Sequence, residues 1–260
     1  MSGERRGGKW HPLSLSGRIG LPPMERLLHG KGMTKMAPAA NQFGRDVSAG
    51  IEEEPDGVIT LEPELARLWK KAAPLLAVRD NDAHTLYALG LARTLLHAHP
   101  EADAAVVLPA MMLHDIGWSQ VPPEDVLLAI APGGGRPDLV LLHEKEGARL
   151  AAGILAEAGW DAACVPRILE IIDGHDSRRE ALSIEDAIVK DSDKTWRLSP
   201  HGIDTVMDWF GLDRGQAVRL CSQRVHGHLF TEEARTIARA LSALESVTLW
   251  PERQALLSGR

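Results

Sequence analysis

Cysteine is nearly absent from this sequence, and its scarcity limits the kinds of scaffold and site that the chain can form. The 260 residues include only two cysteines, Cys164 and Cys221. Two cysteines are too few for a disulfide framework, and neither belongs to a Cys-x-x-Cys pair of the kind that binds structural zinc. The simplest interpretation is a protein of a reducing, cytoplasmic compartment.

Long apolar runs and an excess of positive charge are missing as well. No apolar run approaches the roughly 18–20 residues that a membrane span requires. Arg5-Arg6 is not followed by an apolar signal region, so we expect no secretory peptide. The formal net charge of −7 argues against a broad nucleic-acid-binding surface. We therefore expect neither a membrane partner nor a strong nucleic-acid interaction.

Alanine and leucine, by contrast, are abundant. Aromatic residues make up only 4% of the chain, while 44% of the residues are hydrophobic and show no β-type alternation. This pattern predicts an all-α protein with one sizeable core, over residues 58–260. Residues 1–57 hold ten glycines and five prolines without a persistent period, so a flexible or irregular N-terminal arm is predicted there. This arm is a candidate contact between copies in a homo-oligomer, and no catalytic role is expected for its His11 and His29.

Four predicted helices each place a histidine on their apolar face. The first runs from about residue 81 to 99 and carries His84, and the next begins near Asp103 and ends at His114-Asp115. A helix over about 141–158 carries His143. The next predicted helix begins near residue 165, and His175 continues its apolar stripe at the C-terminal end. One such histidine is usually a satisfied core residue, but four of them suggest a shared partner.

A fifth segment adds carboxylates. Asp191 and Asp193 lie on a predicted helix whose N-terminus is marked by Ser183 and Asp186, in a capping arrangement. Burying these polar groups separately would cost about 1–3 kcal/mol each if they were unsatisfied, whereas a metal centre would satisfy all of them together. Helical spacing does not choose between Asp191 and Asp193 as the ligand.

The order of these residues resembles the HD-domain superfamily of metal-dependent phosphohydrolases. The resemblance covers about residues 78–200, and residues 201–260 would add C-terminal helices. The implied fold is a compact helical bundle with a metal site in its centre. The match is closest in Leu113-His-Asp-Ile-Gly117, His143-Glu-Lys-Glu-Gly147, Ile171-Ile-Asp-Gly-His175 and the segment from Ser183 to Lys194.

The resemblance also implies a set of metal ligands. His84, His114, Asp115 and Asp193 correspond to the ligands of a first ion. His143 and His175 correspond to the pair that two-metal members add, with Asp115 then bridging. The family pattern favours Asp193 over Asp191, which remains the reserve candidate.

Two departures from the family concern the handling of phosphate. A lysine often follows the His-Asp turn in relatives, but Trp118 stands in that neighbourhood here. The arginine that some members carry shortly after the first histidine is missing after His84.

Ligation by imidazole and carboxylate suits one or two ions of Fe, Mn, Co, Ni or Zn. The resulting expectation is hydrolysis of a small phosphorylated metabolite or nucleotide by metal-activated water. The loop 132–137 and the segment after His175 are predicted to rim the pocket. The predicted catalytic residues are Asp115, Asp176 and Lys194, and the predicted substrate-binding residues are Arg178, Arg179 and Lys145.

Two other classes of function remain open. Some proteins that resemble this superfamily hold two irons in the same six-ligand set and use O2 to cleave a carbon–carbon or carbon–phosphorus bond. The presence of both His143 and His175 is compatible with such a di-iron oxygenase. A non-catalytic module that binds metal or senses nucleotides is the third possibility.

Overall fold

The structure, a computed structural model, describes residues 57–58, 60–133 and 135–258. These residues form α-helices and short 3₁₀ turns without a strand among them, which confirms the all-α prediction. The predicted arm of residues 1–57 falls almost wholly outside the described residues, as do His11 and His29. The helices are α1 (Pro63–Ala72), α2 (Asn81–Ala98), α3 (Ala104–Leu113), α4 (Pro123–Ile130), α5 (Pro137–Ala158), α6 (Val165–Ile172), α7 (Ile184–Thr195), α8 (Pro200–Phe210), α9 (Arg214–Val225), α10 (Glu232–Ser246) and α11 (Pro251–Ser258).

Helix α3 lies in the middle of the bundle because it has no polar face. Its ten residues are all apolar, and a helix that is apolar all round is stable only when other elements cover it. It packs against α1, α2, α6 and α7. Pro109 interrupts its hydrogen-bond ladder, and the carbonyl of Ala105 that is left free accepts a 2.9 Å hydrogen bond from Trp160 Nε1. Helix α3 thus carries the His114–Asp115 turn into the core.

Helix α7 is buried for a different reason. It carries several charged side chains that are fully or almost fully buried, among them Asp186, Lys190 and Asp191. Each of these three makes hydrogen bonds to groups of neighbouring segments, so their burial does not leave unpaired charges. The Ser183 hydroxyl accepts from the backbone N–H of Asp186, as the predicted cap requires.

Some helix ends differ from the prediction. Helix α5 begins at Pro137, four residues earlier than expected, because proline is well suited to the first turn of a helix. Helix α2 begins at Asn81 as predicted, but Asp80 at its N-cap is in the left-handed conformation and its side chain makes no capping hydrogen bond. Helix α6 ends at Ile172, so His175 lies in the turn beyond it and not on the helix.

Among the described helices, none combines the length and the apolar character needed to cross a membrane.

Candidate metal centre

The predicted histidines and carboxylates meet in the middle of the bundle. His84 comes from α2 and His114 from the end of α3, and their Nε2 atoms lie 3.0 Å apart. Asp193, on the last turn of α7, places its Oδ1 3.2 Å from His84 Nε2 and 3.7 Å from His114 Nε2. These three side chains have the arrangement and the donor atoms to hold a metal ion.

A second group lies beside the first, on the other side of Asp115. His143 comes from α5 and His175 from the turn after α6, with their Nε2 atoms 3.4 Å apart. Asp115 Oδ1 is 3.7 Å from His143 Nε2 and 3.5 Å from His175 Nε2. Asp115 Oδ2 is 3.4 Å from His84 Nε2 and 3.5 Å from His114 Nε2. One carboxylate therefore presents one oxygen to each group, and we call the six side chains together the His–Asp cluster.

Backbone carbonyls orient two of the imidazoles. His114 Nδ1 donates to the carbonyl of Met111 at 2.7 Å, and His175 Nδ1 donates to the carbonyl of Ile172 at 2.9 Å. Because a carbonyl can only accept, the Nδ1 atom carries a proton and the Nε2 atom faces the cluster. This arrangement is common for histidines that bind metals.

The other two imidazoles are held by aromatic packing. The Nδ1 atoms of His84 and His143 are buried without a hydrogen-bond partner among the described residues. The ring of His143 stacks on Trp118, with ring centroids 3.9 Å apart and an interplanar angle of 11°. The ring of His84 meets Trp196 edge-on at 4.3 Å. Trp118 also donates from Nε1 to Asp115 Oδ1 at 3.0 Å, so it positions a carboxylate as well as a histidine.

The charge states in the cluster are set by burial and by close neighbours. Burial lowers the pKa of His84, and burial together with the charge of His175 lowers the pKa of His143 to about 4. Burial also acts to lower the pKa of His175, but a hydrogen bond to Asp115 and the negative charges of Asp176, Asp115 and Asp193 together outweigh it and raise this pKa to about 9. Burial acts to raise the pKa values of Asp115 and Asp193, yet neighbouring positive charges and hydrogen bonds hold both well below the usual value. The cluster is therefore anionic at its carboxylates and keeps His84 and His143 neutral, which is the form that binds metals.

Gly117 determines how closely the His114–Asp115 turn approaches α5. A Cβ atom on Gly117 would lie 1.8 Å from the carbonyl oxygen of His143 and 2.5 Å from the backbone nitrogen of Gly147. Only glycine permits this approach, since backbone atoms of a helix cannot move aside cheaply. The close contact brings His143 within reach of Asp115.

The loop that carries His175 is held by two buried charges. The carboxylate of Glu144 accepts from the backbone N–H groups of Asp176 and Ser177, each at 2.8 Å, and from Ser177 Oγ at 2.6 Å. The ammonium group of Lys190 donates to the carbonyls of Gly174 at 2.7 Å and His175 at 3.2 Å. Fully satisfied buried charges of this kind hold a loop in one conformation.

These loop-holding roles were missed in the sequence. Neither Glu144 nor Lys190 is predicted from the sequence to hold the His175 loop. Lys190 directly follows Ile188-Val189, and a lysine next to an apolar run is the one hint that it is buried.

Arg79 is the first of two arginines at the cluster that the sequence analysis missed. Its guanidinium group lies between the rings of Trp118 and Trp209, 4.8 Å from each centroid. One terminal nitrogen is 3.8 Å from Asp115 Oδ2. Its backbone has a φ of 48°, in the left-handed region that non-glycine residues rarely adopt. The surrounding packing therefore holds Arg79 against the bridging carboxylate.

Arg197 is the second. Its Nη1 donates to the backbone carbonyl of Asp193 at 3.0 Å and lies 3.4 Å from Asp193 Oδ2. The four-residue spacing from Asp193 is one at which helical side chains meet, so the sequence did contain a sign of this contact. Arg79 and Arg197 supply the positive charge that the missing lysine and arginine of the family pattern left in doubt.

Comparison with known families agrees with this geometry. Residues 81–198 match the family model of the HD domain. This part of the chain is an HD domain. All six side chains of the His–Asp cluster lie within the matched range, and the resemblance stated from the sequence is confirmed. HD domains are generally metal-dependent phosphohydrolases.

More specific similarities are few. No curated protein matches this chain significantly. A crystal structure of a protein from Lactobacillus plantarum is similar over 78% of this chain and 100% of its own, with 18% identity and a TM-score of 0.49. A similarity at this level supports no conclusion about this chain.

Asp191, the reserve candidate on the HD domain's helix α7, lies away from the cluster. Its Oδ1 accepts from the N–H of Phe230 at 2.8 Å, and its Oδ2 accepts from the N–H and the hydroxyl of Thr231, each at 2.8 Å. These bonds tie α7 to the start of α10. Asp191 is therefore occupied by a structural contact, and Asp193 is the aspartate that reaches the histidines.

Replacing each aspartate in turn separates these roles. Asp191→Asn is expected to lower the free energy of unfolding by about 1–3 kcal/mol, because the backbone N–H groups lose a charged acceptor, and to leave the metal content unchanged. Asp193→Asn is expected to lower the metal content. Urea unfolding of the chelated proteins and elemental analysis of the untreated ones measure the two effects. Metal loss in Asp191→Asn with metal retained in Asp193→Asn would reverse the assignment.

Two of the residues predicted to be catalytic line an open cleft beside the cluster. The side chain of Asp176 is 26% exposed, and its Oδ2 lies 3.7 Å from His143 Nε2 and 3.9 Å from His175 Nε2. Lys194 is half-buried in the cleft wall and makes no ion pair with a described residue. The structure thus keeps both residues available to a substrate.

The three residues predicted to bind substrate are placed elsewhere. Arg178 donates to the carbonyls of Asp173 and Glu170, each at 3.1 Å, and to the carboxylate of Asp186 at 3.2 Å, so its guanidinium group ties the end of α6 to α7. Arg179 and Lys145 are exposed and line neither the cluster nor the cleft. Lys145 is two residues beyond His143, which is more than half a turn around α5. A substrate role for these three has no support in the structure.

The cleft has a volume of about 400 Å³. Ile130, Asp176 and Arg197 line both this cleft and a smaller cavity of about 20 Å³ at the His–Asp cluster, so the cleft leads towards the cluster. Gly135 and Asp176 are among its lining residues, as expected from the predicted rim. Arg224 and His228, which lie beyond the HD domain match, also line it and were missed in the sequence.

Proposed function

We propose that this protein is a metal-dependent phosphohydrolase that acts on a small phosphorylated metabolite or nucleotide. The Asp115 carboxylate is the observation that carries this proposal. One of its oxygens faces His84 and His114, and the other faces His143 and His175. A carboxylate between two pairs of buried imidazoles is an arrangement that suits a two-metal hydrolytic site.

The donor chemistry of the cluster fits this role. Its imidazole and carboxylate groups suit Fe, Mn, Co, Ni or Zn, and His114 and His175 already point their Nε2 atoms inward. Such ions, when bound, lower the pKa of a water molecule so that hydroxide is available near neutral pH, and they neutralise charge on phosphoryl oxygens. The proposed ligands are His84, His114 and Asp193 for one ion, His143 and His175 for the other, and Asp115 for both.

The surrounding residues contribute charge and proton transfer. Phosphoryl transfer depends mainly on positioning and on neutralising charge. Arg197 lies where the cleft meets the cluster, and Lys194 lines the cleft without an ion-pair partner, so both can bind phosphate oxygens. Asp176 is a partly exposed carboxylate close to His143 and His175, which suits it to move a proton between the reacting group and solvent. Arg79 holds the carboxylate of Asp115 in its orientation.

Removing and restoring the metal tests the proposal. Treatment with a chelator is expected to reduce hydrolysis of p-nitrophenyl phosphate by at least about 100-fold, and Mn²⁺ or Co²⁺ is expected to restore it. Release of p-nitrophenolate measures the rate. The His114→Ala variant, purified in parallel, controls for contaminating phosphatases and is expected to stay inactive.

A folded His114→Ala variant with wild-type turnover would exclude the cluster as the catalytic site. If the wild-type protein hydrolyses no phosphate ester with any of the five metals, the di-iron oxygenase and a non-catalytic metal-binding role are left.

A di-iron oxygenase is the second candidate, because a one-metal hydrolase would not need both His143 and His175 beside Asp115. Anaerobic purification, iron quantitation and an oxygen-uptake assay with candidate substrates separate the two functions. Hydrolysis with Mn²⁺ and no oxygen uptake supports the hydrolase. Two irons per chain with oxygen uptake and no hydrolysis supports the oxygenase.

A further inference from the structure

The cleft is lined by basic side chains from two parts of the chain. Arg224 is in the last turn of α9, and His228 follows in the turn before α10, both outside the HD domain. Lys194 and Arg197 face the same cleft from α7 and the 3₁₀ turn after it. Among the described lining residues, Asp176 alone is acidic. The cleft therefore carries more positive than negative charge, even when Arg197 is counted as paired with Asp193 of the cluster.

Arg224 has no carboxylate to balance it among the described residues. Its one hydrogen bond runs from Nη1 to the carbonyl of Ile130, at 3.3 Å. Partial burial and the nearby positive charge of Arg197 lower the pKa of Arg224, whose side chain is still exposed to solvent. Arg197 is compensated by Asp193, whereas Arg224 and Lys194 are not. An anion bound in the cleft would offset the positive charges of Arg224 and Lys194.

The rest of the cleft wall is apolar. Ala129, Ile130, Val140 and Val225 line it, and of these only Ile130 also lines the cavity at the cluster, which Arg224 does not reach either. A volume of about 400 Å³ is in the range of small-molecule sites. The cleft can therefore hold a short carbon skeleton with a charged group at its far end.

We propose that the outer cleft, with Arg224 as its main recognition residue, binds a second anionic group of the substrate. The substrate is then a small phosphate ester that also carries a carboxylate or a second phosphate. This proposal rests on the phosphohydrolase function, since the first phosphate is taken to lie at the His–Asp cluster. Arg224 acts here as a specificity residue supplied by the C-terminal helices.

Three non-hydrolysable compounds test this proposal by binding alone. Benzylphosphonate carries no distal anion, 4-carboxybenzylphosphonate carries a carboxylate, and 1,4-phenylenebis(methylphosphonate) carries a second phosphonate. Isothermal titration calorimetry with the Mn-loaded full chain is expected to show that at least one of the last two binds about tenfold more tightly than the first. The compound that is preferred identifies the distal group as carboxylate-like or phosphate-like.

Arg224→Ala is expected to bring the ratio of these affinities close to one, and Arg224→Lys to restore part of the preference. Arg219→Ala is the matched control, because Arg219 lies on the same helix but is exposed and does not line the cleft. Its preference is expected to equal that of the wild type. Melting temperatures of the variants verify that each is folded.

Equal affinity of the wild type for the three compounds, or no binding of any of them, overturns the proposal. A preference that persists in Arg224→Ala overturns it as well. If the preference depends on Arg224 but the protein hydrolyses no phosphate ester, the anion site stands and the proposed phosphohydrolase function fails.

Discussion

The Asp115→Asn variant is expected to lose at least about 10³-fold in turnover. A bound metal contributes several kcal/mol to transition-state stabilisation, and about 4 kcal/mol corresponds to this factor. The substitution keeps the shape of the side chain but removes the negative charge that both groups of histidines share. The new amide also presents N–H donors to imidazole lone pairs, where a metal should be. Both proposed ions are therefore expected to be lost or weakly held.

Elemental analysis and steady-state hydrolysis of p-nitrophenyl phosphate measure the two effects, and circular dichroism verifies the fold. Asp82→Asn is the matched control, because Asp82 is an exposed carboxylate in the first turn of α2. It is expected to keep wild-type metal content and turnover. A folded Asp115→Asn variant with full metal content and turnover would show that Asp115 does not bridge the site.

The Gly117→Ala variant is expected to lower the free energy of unfolding by about 3–5 kcal/mol, which is large for one methyl group. The added Cβ would lie 1.8 Å from the carbonyl oxygen of His143, so the turn and α5 must separate. Separation moves Asp115 away from His143. Since displacements of about 1 Å in an active site can cost about 100-fold in rate, turnover is expected to fall by a similar factor in the molecules that fold.

Urea unfolding and metal content measure the effect of Gly117→Ala. Gly153→Ala provides the control, because Gly153 lies on α5 with open space where the Cβ would go. It is expected to be neutral, or to stabilise by up to about 1 kcal/mol through higher helix propensity. Wild-type stability and metal content in Gly117→Ala would mean that the close packing of the turn on α5 does not hold the cluster together.

Local sequence information does not determine whether Asp191 or Asp193 lies at the histidines. The two residues lie on opposite sides of α7, roughly 200° apart around the helix. Both sides are covered, one by α2 and the other by α10, so hydrophobic periodicity does not separate them. The family resemblance favoured Asp193, and the packing of α7 brings that residue to the histidines.

Cationic residues were the least predictable part of the site. Arg178 was expected near phosphate because it follows His175 in sequence, yet its guanidinium group is taken up by the end of α6 and by Asp186. Arg224 is distant from the motif in sequence, whereas Arg79 precedes His84 by only five residues, and both reach the site through packing. A long charged side chain extends several ångströms, so its position in the sequence says little about where its charge lies.

The sequence by itself determined the helical class, the HD domain and the histidines that face the core, because the 3.6-residue period and short motifs are local properties of the chain. Only the tertiary structure decided which charges meet. It set Asp115 between two pairs of imidazoles, assigned Glu144 and Lys190 to the His175 loop, and lined the cleft with Arg224. The physical reason is that whether a helix face is buried depends on the residues of that helix. The partner of a charged side chain depends instead on which residue another helix places opposite it.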